Sequence, residues 1–194
     1  MYVTFEQDAL FGDPDEDQEY LAVDKVFVHP DFSNPSSPDD SHDIALVILK
    51  DPVYGIETED LPAGKYMDEV IEQTELKKGR QDMEMIIVGY GSPDYRDPPE
   101  RFTEDAERKV GKVTFKDLTP FEIRTYQNLE NDVNCYGDSG GPLYHEDNNG
   151  NEVLVGIASW GDRPCVAHAA HYRVDTASAQ DFIDNTINQH FPED

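Results

Sequence analysis

The sequence predicts an all-β fold closed by a single C-terminal helix. Three observations carry this expectation: strand-like segments recur through the chain, turn residues separate them, and the one convincing helical pattern comes last. Tyr2 to Phe5 and Tyr20 to His29 are the first strand-like segments. Ile44 to Leu49 (IALVIL) is an unbroken apolar run, the pattern of a strand covered on both faces. Met85 to Val88, Arg108 to Phe115, Phe121 to Tyr126, Gly141 to His145, Val153 to Trp160 and His171 to Val174 bring the total to about nine strands. From Ala177 to Gln189, Phe182, Ile183 and Ile187 are read as one apolar helical face. Sheets of this kind commonly remove their edges by closing into barrels. The 194 residues suffice for one domain, or for two small barrels sharing a core.

Composition narrows the function. Fifteen Lys and Arg stand against 42 Asp and Glu, a formal net charge of −27. Such a chain repels phosphate, which argues against nucleic acid and anionic membrane as partners and describes a heavily solvated surface. No apolar run approaches the roughly 18 residues of a membrane span. Met1 to Asp8 has neither the basic nor the apolar region of a signal peptide and reads as the middle of a strand. The two cysteines, Cys135 and Cys165, form no Cys-x-x-Cys pair, so zinc and thioredoxin-type redox chemistry are unsupported. The acidic stretch Asp13 to Asp17 lacks the glycine and glutamate offsets of an EF-hand, and solvation is its default reading, with no metal expected.

Chemistry concentrates in Cys135-Tyr136-Gly137-Asp138-Ser139-Gly140-Gly141-Pro142-Leu143. A serine among glycines presents its hydroxyl for attack, with neighbouring peptide N–H groups free to hold an oxyanion. The plainer reading is a glycine-rich turn with an incidental serine. Against it, Gly-Asp-Ser-Gly-Gly-Pro defines six consecutive positions, and this string resembles the nucleophile loop of the trypsin-like serine proteases.

The resemblance runs in order through most of the chain. Val26-Phe27-Val28-His29-Pro30-Asp31-Phe32 is similar to the family's Val-x-x-His-Pro-x-aromatic segment. His42-Asp43-Ile44-Ala45-Leu46 resembles the motif whose aspartate orients the catalytic histidine, here Asp43. Val88-Gly89-Tyr90-Gly91 looks like the turn opening the second barrel, Ser159-Trp160-Gly161 the strand that pairs with substrate, and Tyr172-Arg173-Val174 the closing segment. The resemblance implies a double β-barrel with a C-terminal helix and an incomplete first barrel. Residues 1–72 would form the partial first barrel, 83–175 the second and 177–190 the helix. It implies Ser139 as nucleophile and the N–H groups of Gly137 and Ser139 as oxyanion hole. Val133 would lie at the base of the specificity pocket, with Gly161 and Ala170 as its walls and Tyr136, Ser159 and Trp160 against substrate. An apolar Val133 favours small or medium apolar side chains, although the adjacent Asp132 would bring in an acid after a one-residue shift. Cys135 and Cys165 stand where the family has a disulfide, worth about 3–4 kcal/mol for a loop of this length. Two free thiols are the alternative. The implied protein is a monomer acting on protein or peptide substrates, secreted or extracytoplasmic. No cofactor is implied, because side chains and backbone carry acyl transfer.

One part is missing. The family's histidine precedes its aspartate in a Thr-Ala-Ala/Gly-His-Cys setting, and upstream of Asp43 the chain has only His29 and His42, both in other motifs. The new amino terminus that pairs with the aspartate here numbered Asp138 is missing too, so the serine loop is expected to be disordered or rearranged. The chain thus resembles a protease lacking its first few dozen residues. A late start, a gene fragment or lost activity would each produce this. The expected function is a serine endopeptidase, inactive as this chain, and the alternatives are a non-catalytic protein-binding homologue or an acidic calcium-binding module.

Overall fold

The computed structural model describes residues 1–10, 19–34, 39–74, 83–91, 105–127 and 134–191. The acidic stretch Asp13 to Asp17, read as solvated, and Val133, expected at the base of the specificity pocket, lie outside them. The strands are β1 (Tyr2–Val3), β2 (Asp8–Leu10), β3 (Leu21–Val28), β4 (Ala45–Leu49), β5 (Glu84–Gly89), β6 (Asp105–Glu107), β7 (Lys109–Leu118), β8 (Glu122–Tyr126), β9 (Pro142–Glu146), β10 (Glu152–Gly161) and β11 (His168–Arg173). The helices are α1 (Tyr66–Gln73) and α2 (Ala177–His190). Strands β10-β11-β8-β7-β5-β9 close into a barrel, while β1-β3-β4 form a separate three-stranded sheet. A mostly β architecture with one closed six-stranded barrel, a three-stranded sheet and a C-terminal helix is therefore what the chain adopts.

Alternation builds the closed barrel. In β7, Gly111, Val113 and Phe115 are buried at every second position, and in β5 Met85 and Ile87 do the same. Val113, Phe115, Met85 and Ile87 meet Ile123, Leu143 and Val155 in one cluster, which Met67 of α1 joins. A second cluster joins the two halves: Ile44 at the mouth of β4, Tyr172 of β11, and Ala179 and Ile183 of α2. Strand β11 is buried along nearly its whole length.

The strand expected to be covered on both faces is β4, and it is not. Leu46 faces the second cluster, but Val47 is 44% exposed. Val47 pairs with Val26, itself exposed, and Val28 pairs with exposed Ala45. The sheet thus has one apolar face without cover among the described residues. The face of α2 also differs from expectation. Ala179, Ile183 and Thr186 are buried at spacings of four and three, whereas Ile187 is exposed. Thr176 caps this helix, its hydroxyl accepting Ala179 N–H at 3.2 Å.

Three elements had no counterpart in the expectation. Strands β2 and β6 pair with each other, and short acidic segments of low strand propensity carry no local signal. Helix α1 is two turns long, begins at left-handed Lys65 and has no side-chain cap of its own. Its first turn is satisfied from afar: Asp175 accepts Met67 N–H at 2.8 Å. Asp175 is fully buried and also receives Arg173 through Nε at 2.8 Å and Nη2 at 2.9 Å. Arg173 reaches Asp68 of α1 and the Thr119 carbonyl as well. Removing one partner of such a buried pair strands the other charge. Asp175→Ala is expected to cost about 3–5 kcal/mol, and Asp68→Ala, whose side chain is half exposed, under about 1 kcal/mol. Urea midpoints check this, and equal losses would contradict it.

His171 of β11 is buried in the barrel, with Nε2 3.3 Å from the Thr125 hydroxyl and no partner for Nδ1 among the described residues. Burial pushes its pKa down from 6.5 to about 3. The unfolded chain therefore binds a proton at higher pH than the folded one. Stability from this residue is full above pH 6.5 and falls as pH drops toward 3. His171→Leu is expected to flatten the pH dependence of the urea midpoint across that window relative to wild type. An unchanged profile would contradict the assignment.

Candidate active site

The serine loop is pinned at several points. Its last residues are sutured to β10, with Gly140 N–H donating to Ala158 O at 2.9 Å and Ala158 N–H to Gly141 O at 2.8 Å. Gly137 sits at φ 98° and Gly140 at φ 85°, a region that favours glycine. Cys135 and Cys165 form a disulfide with Cα atoms 5.4 Å apart, tying the loop to the turn after β10. Across the same gap the Tyr136 hydroxyl donates to Arg163 O at 3.1 Å.

Asp138 lies beneath Ser139, 8% exposed. Its two carboxylate oxygens accept peptide N–H groups from Gly91 and Cys135, each at 2.8 Å. The loop expected to be disordered or rearranged is thus held by peptide donors, which stabilise a buried carboxylate as a cation would. The approach is close. A Cβ on Gly89 would stand 1.9 Å from Asp138 Oδ1, and one on Gly91 2.5 Å from the same carboxylate. Both glycines of the Gly-Tyr-Gly turn exist to admit this side chain.

Ser139 is exposed and lines a pocket of about 190 Å³ together with Tyr136, Gly137, Ala158, Ser159, Trp160, Gly161, Asp162 and the disulfide. Among the described residues, the peptide N–H groups of Gly137 and Ser139 meet no acceptor. On the far rim, Asp162 accepts N–H groups from Val166, Ala167 and His168 at 3.0, 2.9 and 2.7 Å, which folds the turn holding Cys165. Burial acts to raise the Asp162 pKa, and these three donors outweigh it, so the carboxyl titrates below its usual range. Ala170 pairs with Trp160, while the residue opposite Gly161 is Ala169. A Cβ on Gly161 would meet Ala169 Cβ at 3.7 Å.

Asp43 comes from the other half of the molecule. His42, at φ 49°, turns the chain into β4, and Asp43 accepts the Ser159 hydroxyl at 2.5 Å. Ser159 also lines the pocket, so one hydrogen bond ties Asp43 to the lining of the pocket that holds Ser139. No histidine joins them. His29 Nδ1 accepts Asp31 N–H at 3.2 Å and its ring stacks on His42 at 4.4 Å. Burial, and then the facing His42, lowers the His29 pKa. His42 Nδ1 lies 2.9 Å from the Ser178 hydroxyl, and His145 Nδ1 2.9 Å from that of Tyr66. His168 stands edge-on to Trp160, His190 packs on Phe27 and His171 is in the barrel core.

The trypsin family model matches residues 3–183. The chain belongs to the trypsin family. It is 27% identical over 172 residues to urokinase-type plasminogen activator of Gallus gallus, covering 84% of this chain and 38% of that protein. It is 28% identical over 168 residues to kallikrein-8 of Rattus norvegicus, covering 78% and 55% respectively. Glandular kallikrein-3 of Rattus norvegicus is 27% identical over 170 residues, covering 77% and 79%. The chain therefore spans about two fifths to four fifths of these trypsin-family relatives.

Two contacts of the site had no sequence signal. Glu122, which bonds the Trp160 indole, lies 38 residues away, and Ser159 reaches Asp43 across 116. The fit around Asp138 is testable. Gly89→Ala is expected to lower stability by about 1–3 kcal/mol through overpacking. Combining it with Asp138→Ala should cost less than the sum of the two. Additive losses in urea denaturation would show that the two residues do not share one space.

Proposed function

We propose that the chain carries the nucleophile half of a serine endopeptidase that cleaves peptide bonds through an acyl-enzyme. The observation that supports this most is the convergence on one pocket of Ser139, two acceptor-free N–H groups and Ser159, whose hydroxyl donates to Asp43. In this reading Ser139 Oγ attacks the scissile carbonyl while an imidazole between it and Asp43 takes its proton. The carbonyl oxygen becomes an oxyanion held by Gly137 and Ser139 N–H, a contribution of about 2.7–4 kcal/mol per donor. The imidazole then protonates the leaving amine, and water releases the acyl group by the reverse sequence. Asp43 sets the ring's tautomer and orientation, and Ser159 holds Asp43. A pocket this small accepts one side chain, and Val133 supports a small or medium apolar one. The disulfide supports an oxidising, extracytoplasmic location, and we read the active unit as a monomer acting on protein or peptide.

Each of the six histidines has another contact, which supports reading none of them as the base. The 194-residue chain alone is expected to show little amidase activity, since losing a triad member leaves only about 10³–10⁴-fold over water. The test is the purified chain with a peptide panel and a serine-directed covalent probe, with and without concentrated imidazole. Added imidazole should restore weak hydrolysis after small apolar residues, and Ser139→Ala should abolish it. Strong labelling of Ser139 without imidazole would overturn the reading by showing a base within the chain. A formed pocket without a base also favours a second reading, a non-catalytic homologue that binds protein partners. Peptide binding with no labelling and no imidazole rescue would select it.

A further inference from the structure

Trp160 is the only tryptophan in the chain. It stands in β10 between Ser159, which holds Asp43, and Gly161, which lines the pocket. Its indole Nε1–H donates to Glu122 Oε1 at 2.7 Å. Glu122 is 1% exposed, so its carboxylate depends on protein partners. The other oxygen, Oε2, receives Arg124 Nε at 3.1 Å and Nη2 at 3.0 Å. Arg124 in turn lies 5.9 Å from the Trp160 ring centre, and its Nη1 is 3.9 Å from Asp117. His168 also meets the indole edge-on, with ring centres 5.9 Å apart.

A buried carboxylate is a costly way to support an aromatic ring, because an apolar side chain of similar volume packs as well without the desolvation penalty. What the carboxylate adds is direction. One short hydrogen bond to Nε1 selects a single orientation of the indole, and two Arg124 donors on the other oxygen fix the carboxylate that makes it. Trp160, so fixed, is one of the residues lining the pocket that also holds Ser139.

We propose that Glu122, backed by Arg124, is a positioning residue that locks Trp160 in the orientation that receives an extended peptide beside Ser139. This rests on reading the pocket as a peptide site. The lock itself acts on the indole whether or not peptide is present.

The chain has one indole N–H, so a nitrogen-15-labelled sample gives one unambiguous signal. In the wild type that signal is expected downfield and slow to exchange with solvent. Glu122→Gln keeps the shape and one acceptor but loses the charge, and should move the signal upfield with faster exchange. Glu122→Leu should remove the protection, and the Gln variant keeps the test valid if the Leu variant does not fold. The same samples are titrated with an acetylated tetrapeptide ending in valine, followed by Trp160 fluorescence. Affinity should fall about tenfold in Glu122→Leu, the scale of a hydrogen bond to a charged group, and less in Glu122→Gln. An indole signal unmoved in both variants would overturn the lock. A moved signal with unchanged peptide affinity would overturn the positioning role and leave the peptide-site reading standing. A wild-type chain that binds no peptide would overturn both.

Discussion

The buried carboxylate of Asp138 is the constraint around which the pocket is built. A charge taken from water needs donors on both oxygens, and peptide N–H groups of Gly91 and Cys135 supply two of them. Their approach leaves no room for a Cβ on Gly89 or Gly91. With Asp138 drawn inward, the next residue, Ser139, is presented outward between Gly137 and Gly140, both at positive φ, and the N–H groups of Gly137 and Ser139 meet no acceptor among the described residues. The disulfide then fixes the loop against the opposite rim. The exposure of Ser139 follows from the burial of the residue before it.

The second dependency is between halves. Asp43 arrives on a three-stranded sheet that is not part of the closed barrel, and two things hold it in place. One is the apolar cluster of Ile44, Tyr172, Ala179 and Ile183, which seats the start of β4 against β11 and α2. The other is the Ser159 hydroxyl. The first supplies cohesion and the second supplies aim. Arg173, next to Tyr172, ties the same junction to α1 through Asp175, so a single strand carries both the packing and the charge network.

What was legible in the sequence was what the backbone enforces locally. The glycines of the serine loop, the alternation in β5 and β7, and the Thr176-capped terminal helix each announce themselves within a few residues. The disulfide was legible only through the family resemblance. What was hidden depends on partners far along the chain. Helix α1 shows no cap because its cap is Asp175, 108 residues on. Strands β2 and β6 are defined by each other. Glu122 reads as one acid among 42 until the fold brings it to Trp160. The unbroken run at Ile44 to Leu49 suggested two covered faces because hydrophobicity reports an affinity for cover and not its presence.

That uncovered face places the molecule's charge in a colloidal role. Val26, Val28 and Val47 turn an apolar strip outward beside β4, whose one described strand partner is β3. Two such strips attract at short range, and adjacent strand edges template one another. A net charge of −27 on each molecule opposes the encounter at longer range. The reach of that repulsion is set by the surrounding electrolyte, about 10 Å at 0.1 M and about 3 Å at 1 M. Ionic strength therefore decides how closely two copies can approach before their bare valines meet.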